Sequence, residues 1–195
     1  MTMETAIKPS MDKEIKRKLF HMLTIFYALA YFFLDKRLTL AFLGGLLAVE
    51  AAIEICRLKL PFLNNLLLVT FGNIAREDER SGVSGIFWTL LGVILTIFLF
   101  HDQRIVLCSL GYLIAGDPAA ALVGMKFGRC RFFGKSLEGS VAFFAVSLVI
   151  GLFFFKFPYA VLGAGFAAVV EILPLPFNDN FWIPVSSALF LSITL

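Results

Sequence analysis

Apolar residues along this chain form long runs that are interrupted by short polar segments. A membrane-spanning helix needs about 20 mostly apolar residues, with about 17–25 allowed. Backbone groups in lipid must satisfy their own hydrogen bonds, so these runs are predicted to be helices. The fold class that follows is an all-α, polytopic membrane helix bundle with about seven transmembrane helices. The predicted spans are Leu19 to Leu34, Leu38 to Ile55, Val83 to Phe100, Ile105 to Met125, Ser140 to Phe155, Tyr159 to Leu173 and Phe181 to Leu195.

One apolar stretch, Pro61 to Ala75, does not have the pattern of a span. It is short and contains Asn64 and Asn65, and polar side chains are costly inside a bilayer. We interpret it as an amphipathic helix that lies at the membrane interface or is partly re-entrant. If it crossed the membrane instead, there would be eight spans, and every later segment would change sides.

Lys and Arg are unevenly divided between the two sides of the predicted bundle. With seven spans, 13 of the 17 Lys and Arg residues lie on one side, in segment 1–18 and in the loops 56–82 and 126–139. Positive residues accumulate in cytoplasmic loops. The sequence therefore predicts a cytoplasmic, amphipathic N-terminal segment, 1–18, and a single integral membrane catalytic domain, 19–195. The long loops are then cytoplasmic and the C-terminus is on the other side.

Composition supports a membrane protein and excludes several other classes. Apolar residues make up 59% of the chain and charged residues 16%, against about 25% charged residues in soluble domains. A soluble domain of 195 residues could not bury so much apolar surface. The net charge of +3 is too small to indicate nucleic-acid binding. The three cysteines form no C-x-x-C pair, so they do not predict a zinc site.

Four carboxylates fall within or beside the predicted spans, namely Glu50, Glu54, Asp117 and Glu171. Ionisable groups at membrane depth are costly and usually face an interior cavity. Glu54 lies three residues before Arg57, so a structural ion pair is as good an interpretation as a functional role. Asp117 is followed by a proline, which bends a helix, and by small residues that let a ligand approach. We predict a metal- or phosphate-linked site at Asp117, with a buried structural carboxylate as the alternative.

The loop from Lys126 to Ser140 combines glycines, cations and hydroxyl groups, which together hold phosphates in many proteins. It is not a P-loop, because Gly128 and Gly134 are separated by five residues and no strand is predicted before it. We predict phosphate binding here, with a merely positive cytoplasmic loop as the alternative. The candidate nucleotide-binding residues are Lys126, Arg131, Gly134, Lys135, Ser136, Gly139 and Ser140.

The last cytoplasmic loop ends in Asn178, Asp179 and Asn180. These side chains offer oxygen ligands that suit a hard cation such as Mg²⁺. Asn and Asp are also good helix N-caps, so Asn180 has a purely structural alternative. His21 lies one turn into the first span, where a histidine is more often structural than catalytic. The charge cluster from Arg76 to Ser81 fits a solvated surface as well as a binding role.

Six short motifs follow one another along nearly the whole chain. They are Glu14 to His21, Glu54 to Arg57 with Pro61, Arg76 to Glu79 with Ser84 and Gly85, Gly116 to Ala120, Lys135 to Ser140, and Glu171 with Asn178 to Phe181 and Ile183 to Pro184. In this order they resemble the CTP-dependent lipid-alcohol kinases, a family that includes dolichol kinase, phytol kinase and the CTP-using diacylglycerol kinase.

The resemblance implies that the CTP γ-phosphoryl group is transferred to a lipid hydroxyl, with Mg²⁺, at the cytoplasmic face of a multi-pass protein of the cell membrane or an endoplasmic-reticulum-type membrane. It implies that Asp117, Glu138 and Asp179 are catalytic or bind the metal, with Glu138 orienting the loop as an alternative. Asn178 and Asn180 join the nucleotide-binding set. The residues implied around the nucleotide are Glu54, Arg57, Arg76, Glu77, Glu79 and Glu171, with His21 on the lipid side.

Two other functions compete with the kinase. A CTP:phosphatidate cytidylyltransferase-like enzyme also joins a polytopic bundle to CTP and Mg²⁺, but it releases pyrophosphate where a kinase releases CDP. A transporter or scaffold would explain Glu50 and Asp117 as pathway groups, but it would leave the glycine-rich loop unexplained. The expected partners are CTP, a lipid alcohol and the membrane. The identity of the acceptor, the choice of CTP over ATP and homo-oligomerisation stay open.

Overall fold

The computed structural model describes residues 11–71, 79 and 81–195, and within them the chain is a bundle of helices with one short hairpin. The elements are α1 (Met11–Met22), α2 (Ile25–Phe33), α3 (Lys36–Lys59), α4 (Pro61–Phe71), α5 (Gly85–Leu99), α6 (Gln103–Gly111), a π-helical turn (Tyr112–Gly116), α7 (Asp117–Phe127), β1 (Arg131–Phe132), β2 (Lys135–Ser136), α8 (Leu137–Phe154), α9 (Phe157–Ile172) and α10 (Asp179–Thr194).

Among the residues that the structure describes, three helical segments are long and apolar enough to cross a membrane, namely α3, the continuous stretch Gln103–Phe127 and α8. Two more helices, α5 and α9, are apolar but shorter. The helical architecture of a membrane protein is thus confirmed in its coarse form. The count of seven spans and their orientation stay predictions.

The segment Gln103–Phe127 forms the centre of the bundle. In this segment 67% of the most apolar stretch is buried inside the protein, against 17% in α3 and 28% in α8. Val106, Leu110 and Leu113 are completely buried. The outer helices instead expose large apolar side chains, as expected where a bundle borders lipid rather than water.

The π-helical turn lies directly before Asp117 and Pro118. Pro118 has no N–H to donate to the carbonyl four residues earlier, so the regular hydrogen-bond ladder cannot continue through it. The chain widens over one turn at this point, and such π-turns occur frequently at functional sites. Asp117 therefore begins α7 as a buried residue in the middle of the central segment.

The first predicted span, Leu19 to Leu34, is two helices rather than one, because the chain turns between α1 and α2. At the turn, the Thr24 hydroxyl donates a hydrogen bond to the His21 carbonyl over 2.5 Å. Such local side-chain bonds compete with the helical pattern. α1 also continues past the boundary predicted at residue 18, and it buries Glu14 as well as Lys18.

A hairpin within the glycine-rich loop is the exception to the all-α prediction. β1 and β2 pair in antiparallel fashion, with Arg131 opposite Ser136. The turn residues Phe133 and Gly134 have φ angles of 49° and 83°, as a type I′ turn requires. Strands of two residues are too short to produce an alternating pattern, so hydrophobic periodicity could not predict them.

The helix predicted at the membrane interface is present as α4. It begins at Pro61, as predicted, and extends to Phe71. The predicted remainder, residues 72–75, lies outside the described residues. Whether α4 lies at an interface stays a prediction.

Candidate active site

Elements that are far apart in sequence meet around a polar cavity of about 420 Å³. They are α1, the start of α7, the hairpin, the end of α9 and the start of α10. The structure thereby brings together eight of the predicted site residues, namely Asp117, Arg131, Gly134, Lys135, Ser136, Gly139, Glu171 and Asp179. The charged residues that line the cavity are Glu14, Arg17, Lys18, Asp117, Arg131, Lys135, Glu171 and Asp179.

The Asp117 carboxylate is held by the N-terminal helix. Asp117 is only 3% exposed, and the Lys18 ammonium donates a hydrogen bond to its Oδ2 over 2.5 Å. The His21 Nε2 lies 3.6 Å from the same oxygen. Removing one partner of a buried ion pair leaves an uncompensated charge and is strongly destabilising. Lys18 therefore compensates Asp117 and fixes α1 against the start of α7.

Lys135 connects the hairpin to α9 and α10. Its Nζ lies 3.0 Å from Asp179 Oδ2 and 3.0 Å from Glu171 Oε1, and it also donates to the Glu171 carbonyl. Burial opposes the charged form of Lys135, but Asp179 and Glu171 outweigh it and hold the pKa of the ammonium above its usual value. The cavity thus contains a lysine that stays protonated at neutral pH.

The start of α8 borders the same cavity through Ser136 and Gly139. Ser136 is the N-cap, and its Oγ accepts a hydrogen bond from the Gly139 N–H over 3.0 Å. Ser140 donates to Glu171 Oε2 over 2.9 Å, which ties α8 to α9. The Leu137 N–H donates to the Cys130 carbonyl over 2.9 Å. The first N–H groups of α8 thus have partners within the protein and fix the helix start beside the cavity.

Two glycines let α7, the hairpin and α8 approach closely. A Cβ on Gly124 would lie 2.5 Å from Ser136 Oγ, and a Cβ on Gly139 would lie 2.6 Å from the Ala120 carbonyl oxygen. Real Cβ contacts are not that short. Glycine at both positions therefore lets Ser136 and the hairpin pack closely against α7, the helix that begins at Asp117.

Glu138 and Lys126 are not among the described residues that line the cavity. The Glu138 Oε1 accepts hydrogen bonds from the Arg129 and Cys130 N–H groups over 2.9 and 3.3 Å, so Glu138 orients the loop before the hairpin. Lys126 is exposed, with its Nζ 5.3 Å from the centroid of the Phe127 ring. The structure does not bring Glu138 together with Asp117 and Asp179. Within the described residues, no group of three or more His, Cys, Asp or Glu is placed to hold a metal ion.

The two asparagines at the start of α10 have structural partners. Asn178 is the N-cap, since its Oδ1 accepts from the Asn180 N–H over 3.0 Å. The Asn180 side chain donates to Thr89 Oγ1 over 2.9 Å, which ties α10 to α5. The capping role considered for Asn180 therefore belongs to Asn178.

A second group of predicted residues braces the segment before α5. Arg57 donates to Glu54 Oε2 over 2.6 Å, and it also donates to the Glu79 and Gly82 carbonyls. Glu79 accepts from the Gly85 N–H over 3.1 Å. The ion pair considered for Glu54 is therefore present. Arg76 and Glu77 lie outside the described residues.

A second cavity, of about 440 Å³, lies beside the first. Arg17 and Lys18 line both cavities, so the two meet at α1. His21 lines the second cavity, with Glu50, Glu54 and Arg57. The predicted lipid-side residue, His21, is thus separate from the hairpin and close to the Asp117 carboxylate.

Sequence reasoning missed Arg17 and Lys18 as site residues, because they were counted as part of a cytoplasmic positive segment. The signal that could have found them is the motif Glu14 to His21, which is one of the six motifs that carry the family resemblance. Gly124 was missed as well, since a glycine in an apolar helix has no polar signature.

Two relatives among curated proteins are named as kinases of diacylglycerol and of dolichol. The CTP-dependent diacylglycerol kinase 1 of Saccharomyces cerevisiae is 32% identical over 170 residues, which are 72% of this chain and 58% of the kinase. The dolichol kinase of the same yeast is 29% identical over 160 residues, 80% of this chain and 30% of the kinase. An uncharacterized protein of Rickettsia prowazekii is 31% identical over 194 residues, 93% of this chain and 95% of that protein.

The chain thus spans less than two thirds of the length of both yeast kinases. No family model matches the chain. No solved structure matches it either.

The apolar bundle and the named relatives define a class, the membrane-associated kinases of lipid alcohols. Within this class, the chain belongs to the CTP-dependent lipid-alcohol kinase family. The resemblance inferred from the six sequence motifs is confirmed.

Proposed function

We propose that this chain transfers the γ-phosphoryl group of CTP to the hydroxyl of a membrane lipid alcohol of the polyprenol, phytol or diacylglycerol type. The observation that carries the proposal is the polar cavity, in which Lys18, Asp117, Lys135 and Asp179 converge from four separate elements. The names of the relatives support CTP as the donor and a lipid hydroxyl as the acceptor.

The hairpin side of the cavity is suited to the triphosphate. Lys135 is protonated at neutral pH, and Arg131, Ser136 and Gly139 line the same cavity. Phosphoryl transfer depends mainly on positioning and on compensation of phosphate charge. On binding, the phosphate oxygens would replace Asp179 and Glu171 as partners of Lys135.

The Lys18–Asp117 pair is the place where donor and acceptor would meet. Lys18 lines both cavities, whereas Asp117 lines the polar one. A fixed cation beside the transferring group stabilises charge that develops in the transition state. Asp117 holds that cation in place and itself lines the polar cavity.

The residues of the cavity fit a magnesium ion. Mg²⁺ in phosphoryl-transfer sites is usually bound by one or two carboxylates together with phosphate oxygens. Asp117 and Asp179 are two such carboxylates on one cavity, so we propose them as the metal-binding residues and leave Glu138 out. When bound, the ion would neutralise charge on the phosphate oxygens.

The same proposal places the chain in the membrane as a multi-pass protein with the site on its cytoplasmic side. The polar cavity is lined by residues of the two segments, 1–18 and 126–139, that carry most of the positive charge. Positive segments remain cytoplasmic, and CTP is a cytoplasmic nucleotide.

The proposal is tested by following the label of two CTP preparations in parallel. Purified protein in detergent with diacylglycerol, phytol and a polyprenol is given either γ-labelled or α-labelled CTP, with Mg²⁺. We expect the γ-label alone to enter the lipid, together with release of CDP. Entry of the α-label with release of pyrophosphate would instead show a cytidylyltransferase, and no transfer from either preparation would contradict both enzymes.

A further inference from the structure

The second cavity has mostly apolar walls. Its lining comes from α1, α2, α3, α4 and α5, together with Glu79, Ser84 and Asn180. The apolar lining residues are Phe20, Leu23, Ile53, Leu67 and Ile86. Cavities with apolar walls and a few fixed polar groups are typical of small-molecule and lipid sites.

One carboxylate in this cavity, Glu50, is held differently from the others. Glu54 is paired with Arg57, and Glu79 accepts a hydrogen bond from a helix start. Glu50 accepts from the Ser84 hydroxyl over 2.9 Å, and no cation among the described residues forms an ion pair with it. An ionisable group at membrane depth is costly and indicates a functional site when it faces a cavity.

The second cavity adjoins the polar one at α1. Arg17 and Lys18 line both cavities. The adjacent residues Asp179 and Asn180 are divided between them, since Asp179 lines the polar cavity and Asn180 the second one. A molecule bound in the second cavity therefore lies beside Lys18, the partner of Asp117.

We propose that the second cavity holds the head of the lipid acceptor, with Glu50 as the residue that accepts a hydrogen bond from it. This inference rests on the proposed kinase function. The apolar walls receive the start of the acyl chains, and Arg17 and Lys18 lie at the boundary with the polar cavity, where the nucleotide phosphates would bind. Glu50 positions the acceptor hydroxyl at this boundary. The hydroxyl oxygen bonds to the γ-phosphorus of CTP while the bond from that phosphorus to the β–γ bridging oxygen breaks, so that CDP leaves and the hydroxyl proton passes to water.

The polar groups of this cavity favour an acylglycerol over a prenol. Besides Glu50, the lining residues with polar side chains include Tyr27, Ser84, Thr89 and Asn180, of which the last three are hydrogen-bonded within the protein. A diacylglycerol head offers one hydroxyl and two ester groups to such a lining. A prenol offers one hydroxyl, and its hydrocarbon would lie against the remaining polar groups, which is unfavourable.

The test compares Glu50→Gln with Asp35→Asn in lipid nanodiscs that contain diacylglycerol. Both changes remove one carboxylate charge from α3. Asp35 is the N-cap of that helix, where Asn serves equally well. We expect Glu50→Gln to raise the KM for diacylglycerol about fivefold to tenfold, because the Gln oxygen accepts a neutral hydrogen bond in place of the charge-assisted one. The KM for CTP stays within about twofold, and Asp35→Asn changes neither constant. We also expect wild-type protein to use diacylglycerol in preference to a polyprenol.

A second readout does not depend on turnover. A photoreactive diacylglycerol should label peptides from α3 and α5 of the wild-type protein, and Glu50→Gln should reduce this labelling. Labelling at this cavity without any phosphoryl transfer would contradict the proposed kinase function but retain the lipid site. Unchanged labelling and unchanged KM for diacylglycerol in Glu50→Gln, an effect confined to CTP, or a preference for the polyprenol would overturn the inference.

Discussion

The two cavities share Arg17 and Lys18 but hold their carboxylates in different ways. In the polar cavity, Lys18 holds Asp117, and Lys135 holds both Glu171 and Asp179. In the second cavity, whose walls are mostly apolar, Glu50 accepts a hydrogen bond from the Ser84 hydroxyl. The comparison teaches that the polar cavity is built from carboxylates paired with cations, whereas the second cavity combines apolar walls with one carboxylate, Glu50, that is held by a hydroxyl.

This difference corresponds to the two substrates of a lipid kinase. A triphosphate brings several negative charges, so its site needs cations that are fixed before it arrives. A lipid head is neutral, so its site needs hydrogen-bond partners and apolar walls. Substitutions in one cavity should therefore affect one substrate, except at the Lys18–Asp117 pair, where the cavities meet.

The largest effect is expected for Asp117→Asn, because this residue lies where donor and acceptor would meet. We expect turnover to fall about 10²–10³-fold or more, the loss typical of one preorganised electrostatic group. Lys18 would then be buried without its partner, so the folded state would also be destabilised, by about 3–5 kcal/mol. Turnover is measured with γ-labelled CTP, and stability by thermal unfolding in detergent.

The double variant Lys18→Met with Asp117→Asn separates these two effects. Removing both charges leaves no unpaired buried ion, so we expect the thermal midpoint to return toward that of wild type. Turnover should stay as low as in Asp117→Asn. Recovery of activity along with stability would show that the pair is structural only. It would contradict the claim that donor and acceptor meet at this pair.

Lys135→Met should affect the donor side alone. We expect the KM for CTP to rise about tenfold to a hundredfold, since a charge-assisted hydrogen bond to phosphate is lost, while the KM for the lipid stays unchanged. Lys135→Arg keeps the charge and serves as the matched control.

The pKa of Lys135 is raised above its usual value, so the ammonium stays charged at neutral pH. Lys135 should therefore add no pH dependence to CTP binding near neutral pH. An increase confined to the KM for the lipid would show that Lys135 acts on lipid binding and not on CTP binding.

Gly124→Ala tests the close approach of α7 to the hairpin. The new Cβ would lie 2.5 Å from Ser136 Oγ, so either Ser136 must move or α7 must shift, at a cost of about 1–3 kcal/mol. We expect a lower thermal midpoint and weaker CTP binding. Gly45→Ala is the control, because a Cβ there meets nothing within 4 Å, and it should leave both unchanged.

The smallest effect is expected for Glu138→Gln. Glu138 accepts two backbone hydrogen bonds in the loop before the hairpin, and the Gln carbonyl oxygen can accept the same bonds. We expect turnover and Mg²⁺ dependence to change by no more than about threefold. A loss as large as that of Asp117→Asn would return Glu138 to the metal-binding set.

The sequence was informative where a polar residue stands in an apolar background. Asp117 could be predicted as a site residue in this way. Lys135 and Asp179 were predictable from loops that combine cations and glycine or offer several oxygen ligands, and the structure brings all three residues together. Lys18 could not, because a lysine beside the first apolar run looks the same whether it faces solvent or a buried carboxylate. The type I′ hairpin and the break between α1 and α2 depend on local hydrogen bonds and backbone angles that hydrophobic periodicity does not encode.

The measurement that tests the two-cavity account most directly is the pair of KM values for each of two variants, Lys135→Met and Glu50→Gln. Both are assayed in nanodiscs with γ-labelled CTP and diacylglycerol, each varied at saturating concentration of the other. We predict that Lys135→Met raises only the KM for CTP and that Glu50→Gln raises only the KM for diacylglycerol. If both variants raise the same constant, the two cavities do not divide the substrates between them, and the account is contradicted.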